Sequence, residues 1–359
     1  MSETLLYIGT YTNKEDPKSE GVYVYRLDPE SGALSPHAAP APSVNPSFVA
    51  LHPQGTHLYA VNEIGQFNGQ AAGGVTAFAI DAQSGALTEL NQQSSVGTGP
   101  CYLCVDASGS TVLVANYGGG SVAALPIQAD GSLGEASDFV QHEGSSVNPR
   151  RQQEPHAHSI VIAPDNRFAF TPDLGMDQIV AYRLEDGKLP PNDPAGPKTE
   201  PGAGPRHLDF HPNGRFAYVI NEIGNTVNAY AYDAAAGTLE QIQSVPTLPA
   251  DFDGVSHTAD IHITPDGRFL YGSNRGHDSI AVFAVDATSG RLEARGQVPT
   301  GGENPRNFAL SPDGRFLFAA NQSTDDIHTF RINADTGALE PTGQVTPVPA
   351  PVCLKFLVR

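Results

Sequence analysis

Asp286-Ala-Thr-Ser-Gly-Arg-Leu292 sits between two alternating apolar runs, and six relatives of it punctuate the chain. They are Asp28-Pro-Glu-Ser-Gly-Ala-Leu34, Asp81-Ala-Gln-Ser-Gly-Ala-Leu87, Asp130-Gly-Ser-Leu133, Asp186-Gly-Lys-Leu189, Asp233-Ala-Ala-Ala-Gly-Thr-Leu239 and Asn333-Ala-Asp-Thr-Gly-Ala-Leu339. Each reads as a hairpin turn in which Gly takes the positive φ that other residues resist. Seven such turns at a period of roughly 50 residues predict a repeat architecture. In a ring of repeats, equivalent positions stack around one axis and can be compared within the single sequence.

Each unit predicts four strands. In residues 304–341, Pro305 to Leu310 is the first, Ser-Pro-Asp-Gly314 turns it, and Arg315 to Ala320 is the second. Asp326 to Ile332 is the third, and the Gly337 hairpin leads to the fourth. The same order starts at Pro46, Pro100 and Pro205, at Thr258 in place of Pro, and in a copy ending at Ala163-Pro164. Residues 5–34 lack a first strand, and Pro351 to Leu357 supplies one with nothing after it. Joining the two ends removes the sheet edges that invite aggregation. The expectation is an all-β, seven-bladed β-propeller of four-stranded antiparallel blades, one domain over 1–359, closed by its terminal strands. Ser137 to Glu154, with Arg150-Arg151, falls outside the repeat and lengthens one connection. Long connections are functional or mobile.

Composition excludes several classes. The formal net charge of −19 disfavours nucleic acid, whose phosphates need a basic surface. An anionic small molecule then requires a locally positive pocket. No apolar run reaches the ~18 residues of a membrane span, and Thr4 to Ile8 is too short for a signal peptide, which predicts a cytoplasmic protein. Three cysteines do not make a disulfide framework, and Cys101-x-x-Cys104 has no second pair to complete a zinc site.

Alignment on the Pro-x-Gly turns gives two informative columns at one channel mouth. Just inside the first strand stand Ser47, Cys101, His158, Arg206, Ala259, Arg306 and Val352. The second strand ends in Thr10, Asn62, Asn116, Asp173, Asn221, Asn274 and Asn321, which turn chemistry accounts for. The next position gives Tyr11, Glu63, Tyr117, Leu174, Glu222, Arg275 and Gln322. His158, Arg206, Glu222 and Arg275 break the pattern on three successive blades. Buried charge is costly unless paired, so they form either a structural Arg206–Glu222 ion pair or a reactive site of base, acid and anion stabilisers. Glu63, Tyr117, His156, His277 and Arg306 are candidates for substrate binding. His207, by alternation, should point into its blade. His156 and His158 have metal-like spacing but no clear third or fourth ligand, and no nucleophile elbow or phosphate loop is present.

Tyr7-Ile-Gly-Thr-Tyr-Thr12, Asn116-Tyr-Gly-Gly-Gly120, Pro155-His-Ala-His-Ser159, Pro172-Asp-Leu-Gly175, Gly204-Pro-Arg-His207, Asn221-Glu222 and Ser273-Asn-Arg-Gly-His-Asp278 are spread over nearly the whole chain. Together they resemble the seven-bladed lactonase family, which includes propeller-type 6-phosphogluconolactonase and 3-carboxy-cis,cis-muconate lactonizing enzyme. The resemblance implies an active-site set of His158, Arg206, Glu222 and Arg275, and metal-free chemistry without a cofactor.

The expected function is hydrolysis of a sugar lactone, foremost 6-phosphoglucono-1,5-lactone. Glu222 or His158 would activate water, while Arg206 and Arg275 hold the anion and stabilise the oxyanion. Cycloisomerisation of a carboxymuconate is the alternative reaction, and a non-catalytic binding scaffold is the alternative class. The expected partner is an anionic lactone, with no nucleic acid or membrane, and the expected state is a monomer or small homo-oligomer.

Overall fold

At all seven hairpin glycines the backbone is left-handed, with φ between 66° at Gly237 and 85° at Gly131. The residue that opens the longer turns has its own part. Asp286 Oδ1 accepts the backbone N–H groups of Thr288 and Ser289, both at 2.9 Å, an Asx turn that aims the chain toward the glycine. Asp28, Asp81, Asp233 and Asn333 do the same.

The computed structural model describes residues 3–12 and 19–359. Among them, 27 strands form seven antiparallel sheets. These are the blades of a propeller, numbered here in chain order: blade 1 (4–42 with 351–358), blade 2 (49–94), blade 3 (100–141), blade 4 (161–183), blade 5 (205–246), blade 6 (257–299) and blade 7 (305–347). Blade 1 is completed as expected. Pro351–Val358 pairs with Thr4–Thr10 from Thr4↔Val358 to Thr10↔Pro351. Arg359 extends the clasp, bonding backbone to backbone with Glu3 and reaching the Gln83 carbonyl of blade 2 at 2.9 Å.

Blade 4 departs from the four-strand expectation. Its inner strand shrinks to Val161–Ile162, and the outer place is filled by 190–198 without a regular ladder. Pro190, Pro191, Pro194 and Pro197 remove the donors a ladder needs. The segment still satisfies the third strand, whose Ile179 and Ala181 N–H groups bond Pro197 and Ala195 carbonyls at 2.9 Å.

The second strand of each blade is buried on both faces, and its side chains alternate between neighbours. In Phe216–Asn221, Phe216, Tyr218 and Ile220 pack against blade 6 with Leu270 and Phe283. Ala217 and Val219 pack against blade 4 with Phe170 and Ile179. Each large side chain buried in this way contributes about 1.5–3 kcal/mol.

A second connection repeats around the entire ring. Each hairpin-glycine carbonyl accepts a side-chain hydrogen bond from the preceding blade: Tyr7 to Gly85, Tyr59 to Gly131, Ser137 to Gly187, Asn192 to Gly237, Tyr218 to Gly290, Tyr271 to Gly337 and Thr329 to Gly32, at 2.8–3.3 Å. The glycines also leave space that is used. A Cβ on Gly290 would stand 2.4 Å from the Phe216 ring, and one on Gly337 would stand 2.3 Å from Phe269.

The inner strands carry the feature that builds the site. Their register slips between Pro100 and Tyr102, Pro205 and His207, Thr258 and Ile261, and Pro305 and Asn307. Cys101, Arg206, Ala259 with Asp260, and Arg306 are therefore bulged residues without a ladder partner, and bulges re-aim side chains.

Gly290→Ala combines left-handed strain with the clash on Phe216, whereas Gly343→Ala has φ of 80° but open space around it. Denaturant melts should show Gly290→Ala as the more destabilised by about 1–3 kcal/mol, the range for overpacking. Equal losses would mean that the glycine is needed for its backbone alone.

Candidate active site

Glu222 follows the second strand of blade 5 and is the centre of the charged cluster. Glu222 is 3% exposed, and its carboxylate touches three guanidiniums. Arg206 Nε donates to Oε2 at 3.0 Å, Arg275 Nη2 lies 2.9 Å from the same oxygen, and Arg151 Nη2 donates to Oε1 at 2.6 Å. His158 Nε2 stands 3.9 Å from Oε2. Burial alone would raise the Glu222 carboxyl, but Arg275, Arg206 and Arg151 together hold it well below the usual carboxylate range. His158 is neutral for the complementary reason: burial, then Arg206, pushes its imidazole well below 6.5.

A cavity of about 260 Å³ opens above this cluster, lined by Glu63, Cys101, Tyr117, Arg151, His158, Glu222, His257, Arg275 and Arg306. Three arginines on the wall and Arg206 beneath face two carboxylates, so two positive charges are in excess. The locally positive pocket that an anionic ligand requires is present in a chain of net charge −19. Arg306 makes no hydrogen bond or ion pair among the described residues, and its guanidinium lies over the Tyr11 ring at 5.5 Å. Glu63 is anchored through one oxygen, Oε2, which accepts from Tyr11 Oη at 2.8 Å and Ser47 Oγ at 2.5 Å.

The residues singled out in the sequence are placed unequally. His158, Glu222, Arg275, Glu63, Tyr117 and Arg306 line the cavity. Arg206 is 1% exposed and lies below Glu222, with Nη1 bonded to the Ala259 carbonyl and 3.2 Å from His207 Nε2. His156 stacks on the Tyr117 ring at 4.4 Å and is bonded to the Tyr117 carbonyl, one layer behind the wall. His277 is not brought to the cavity. It bonds Ser279 Oγ at 2.6 Å and packs against Phe252. No group of three or more His, Cys, Asp or Glu side chains is arranged for a metal ion among the described residues.

His207 corrects the alternation argument. The bulge at Arg206 turns both residues toward the axis, where His207 meets the Phe48, Tyr102 and His158 rings of blades 2, 3 and 4. Its Nδ1 bonds Asp260 Oδ1 at 2.7 Å. Asp260 also takes His262 Nε2 at 3.0 Å and the Asn307 amide, and Asn307 Oδ1 accepts the Leu354 N–H at 2.8 Å. A polar layer thus ties the inner strands of blades 5, 6, 7 and 1 beneath the site.

Two cavity residues escaped the column reading. Arg151 arrives on the 137–154 insertion, held by Asn148 capping its N–H and by Gln152 Nε2 bonding the Leu174 carbonyl at 2.9 Å. An arginine pair in an off-repeat segment was its only signal. His257 precedes Thr258, where other copies place a left-handed residue before proline: Asn45, Gly99, Gly204, Asn304 and Ala350. His257 breaks that column, so the rule that exposed Glu222 applies to it one position earlier.

The lactonase, 7-bladed beta-propeller family model matches residues 5–356. The chain belongs to this family. It is 41% identical over 357 residues to the 6-phosphogluconolactonase of Bacillus subtilis, covering 99% of both chains. It is 35% identical to the 6-phosphogluconolactonase of Formosa agariphila over 85% of this chain and 86% of that one. The structure of the periplasmic gluconolactonase PpgL of Pseudomonas aeruginosa superposes with a TM-score of 0.92 at 38% identity, covering 99% of each chain. Membership, taken with relatives named as 6-phosphogluconolactonases, places the chain among lactonase-type carboxylic ester hydrolases. No helix of the described residues is long and apolar enough to cross a membrane.

The buried charges set a pH dependence of stability. Burial and Arg206 push His207 down to about 3, so below about 6.5 the unfolded chain binds protons that folded His207 and His158 refuse. Their contribution falls as pH drops from about 6.5. His262 runs the other way: burial lowers it, but Asp260 and Asp209 raise it further, to about 9. Its contribution is complete below about 6.5 and is lost as pH rises toward 9. Thermal melts from pH 5 to 9 should peak near 6.5, and His262→Gln should flatten the alkaline limb. An unchanged alkaline limb in that variant would remove His262 as its cause.

Proposed function

We propose that the chain hydrolyses 6-phosphoglucono-1,5-lactone to 6-phosphogluconate, a cytoplasmic step of the pentose phosphate route. The observation that carries this reading is the small cavity with two excess positive charges beside a neutral imidazole and an ionised carboxylate. The names of the Bacillus and Formosa relatives support the same substrate.

His158 is the better base. All of Glu222's close contacts are guanidiniums, and a carboxylate held so far down is a poor proton acceptor. His158 Nε2 has no hydrogen-bond partner among the described residues, and it would gain a proton beside the Glu222 carboxylate. Water attacks the lactone carbonyl as His158 takes its proton. The acyl–oxygen bond of the ring then breaks, and His158 returns the proton to the ring oxygen, which leaves as a hydroxyl. Arg275 stabilises the oxyanion, Arg306 takes the phosphate, and Arg206 acts through Glu222. The 260 Å³ cavity needs no nucleophile triad for this, because a sugar δ-lactone is already an activated ester.

The cations that bind the anion also hold His158 down when the cavity is empty. A bound phosphate offsets them and strengthens the base, so phosphorylation of the substrate should raise kcat as well as lower KM.

His158→Gln and Glu222→Gln should each lower kcat about 10²–10⁴-fold, the span of general acid–base help, with circular dichroism unchanged. Arg306→Ala should raise KM for the phosphorylated lactone and spare glucono-1,5-lactone. Full activity in both His158→Gln and Glu222→Gln would remove the site assignment. Chelator should leave turnover unchanged, and abolition would overturn the metal-free mechanism. Ultraviolet loss of the diene of a carboxymuconate, without lactone hydrolysis, would move the reading to cycloisomerisation.

A further inference from the structure

The loop between the second and third strands of a blade passes the active-site mouth. In blades 3, 4, 5 and 7 it spans 117–120, 174–177, 222–225 and 322–325. Blade 2 spends 63–73 on the same connection, between His57–Asn62 and Gly74–Ile80. The extra chain is folded. Phe67 and Gln70 exchange both backbone hydrogen bonds at 3.0 Å across Asn68 and Gly69, whose φ values are 49° and 79°. That is an Asn-Gly type I′ hairpin. Its Phe67 ring is seated on the chain beneath it, 3.0 Å from where a Cβ on Gly74 would lie.

This hairpin forms one wall of a second cleft, of about 670 Å³, that shares Glu63 with the catalytic cavity. The two spaces have opposite chemistry. The catalytic cavity is rich in arginine, whereas the cleft is lined by no Lys, Arg or His among the described residues. Its polar groups are Glu63 and the amides of Asn45, Asn62, Gln66 and Gln92. Asn45 and Asn62 are committed to the fold, bonding Thr12, the Glu63 carbonyl, Ser43 and Thr76. The Gln66 and Gln92 amides and Glu63 Oε1 make no such bonds among the described residues. Val44, Ile64 and Phe67 supply apolar surface between them.

We infer that this cleft is a subsite for a neutral, hydroxyl-rich group carried by the lactone, namely a glycosyl substituent. Amides and one carboxylate pair with hydroxyls as donor and acceptor, and an apolar wall suits the C–H face of a sugar ring. Among the described lining residues no cation offers a second anion a partner. Volume agrees: the catalytic cavity is at the small end for ligand sites, and the cleft adds space well within their range. The substrate class so extended is the disaccharide aldonolactone, hydrolysed at its lactone ring in the cavity while the second sugar lies against Phe67. This inference rests on the lactonase reading for its chemistry and on the blade 2 hairpin for its specificity.

The test compares glucono-1,5-lactone with the lactones of cellobionic, maltobionic and lactobionic acids, using the full chain. At least one disaccharide lactone should match or exceed glucono-1,5-lactone in kcat/KM. Phe67→Ala and Gln92→Ala should each lower kcat/KM for that disaccharide about five- to tenfold, the value of one modest contact. Both should leave glucono-1,5-lactone unchanged. Replacing residues 66–72 by a short turn should abolish the preference, and the two point variants keep the test open should that replacement not fold. Wild-type kcat/KM below the monosaccharide value for all three lactones would overturn the inference. So would equal losses on both substrate classes in the point variants. Inactivity toward every monosaccharide lactone, phosphorylated or not, would instead be a failure of the lactonase reading. Binding of cellobionate, lost in Phe67→Ala, would then still report the subsite by calorimetry.

Discussion

Seven hydrogen bonds to glycine carbonyls set the angle at which each blade meets the next. Among the described residues no backbone ladder runs between blades, so their relative placement depends on side-chain packing, on the polar layer beneath the site and on these links. Apolar packing is strong but not directional. A tyrosine hydroxyl on a carbonyl at 2.9–3.2 Å is directional, and the left-handed glycine presents that carbonyl to it. Where tyrosine is missing, Ser137, Asn192 and Thr329 reach the same atom from other positions. The link is kept while the residue changes, which identifies the carbonyl as the fixed point. A site assembled from six blades, with Tyr11 of the seventh behind Glu63, needs such regularity.

Within that frame the charged cluster is stable because Glu222 is shared. A buried carboxylate without partners would protonate. Three guanidiniums keep it ionised, and it in turn gives Arg206 and Arg275 a counter-charge where water is scarce. Arg306 is left outside this balance. Among the described residues, its charge faces the cavity with only the Tyr11 ring and more distant carboxylates to answer it. The low-dielectric walls focus that surplus, so an acidic protein can still draw an anion to one point on its axis.

The ring was legible in the sequence because its turns are local chemistry: Asp or Asn for the Asx bond, Gly for positive φ, then Leu for the core. Closure was legible for a similar reason, since an orphan first strand at the C-terminus matched a missing one at the N-terminus. Glu222, Arg275 and His158 showed as breaks in a repeating column. What stayed hidden depends on contacts between segments without a common register. Arg151 reaches Glu222 from 71 residues away on a segment outside the repeat. The 63–73 hairpin was concealed by its Gly and Gln content, which reads as ordinary loop. The blade 4 outer strand was lost to four prolines.

The deeper miss concerns the inner strands. Alternation assumes one residue per step, so Arg206 on the axis should put His207 inside the blade. A bulge breaks that count and places two successive side chains on the axis. The same device in blade 6 frees Ala259 and Asp260 together: the carbonyl of one receives Arg206, and the carboxylate of the other receives His207. His207 then offers Nε2 to Arg206 because Asp260 holds its Nδ1. Arg206 is fixed on the side away from Glu222, so the orientation of the carboxylate beneath the cavity is set by bulges in two adjacent strands. Regular blades could have formed the ring without them. The irregular inner strands are what turn a symmetric channel into a floor with one defined direction.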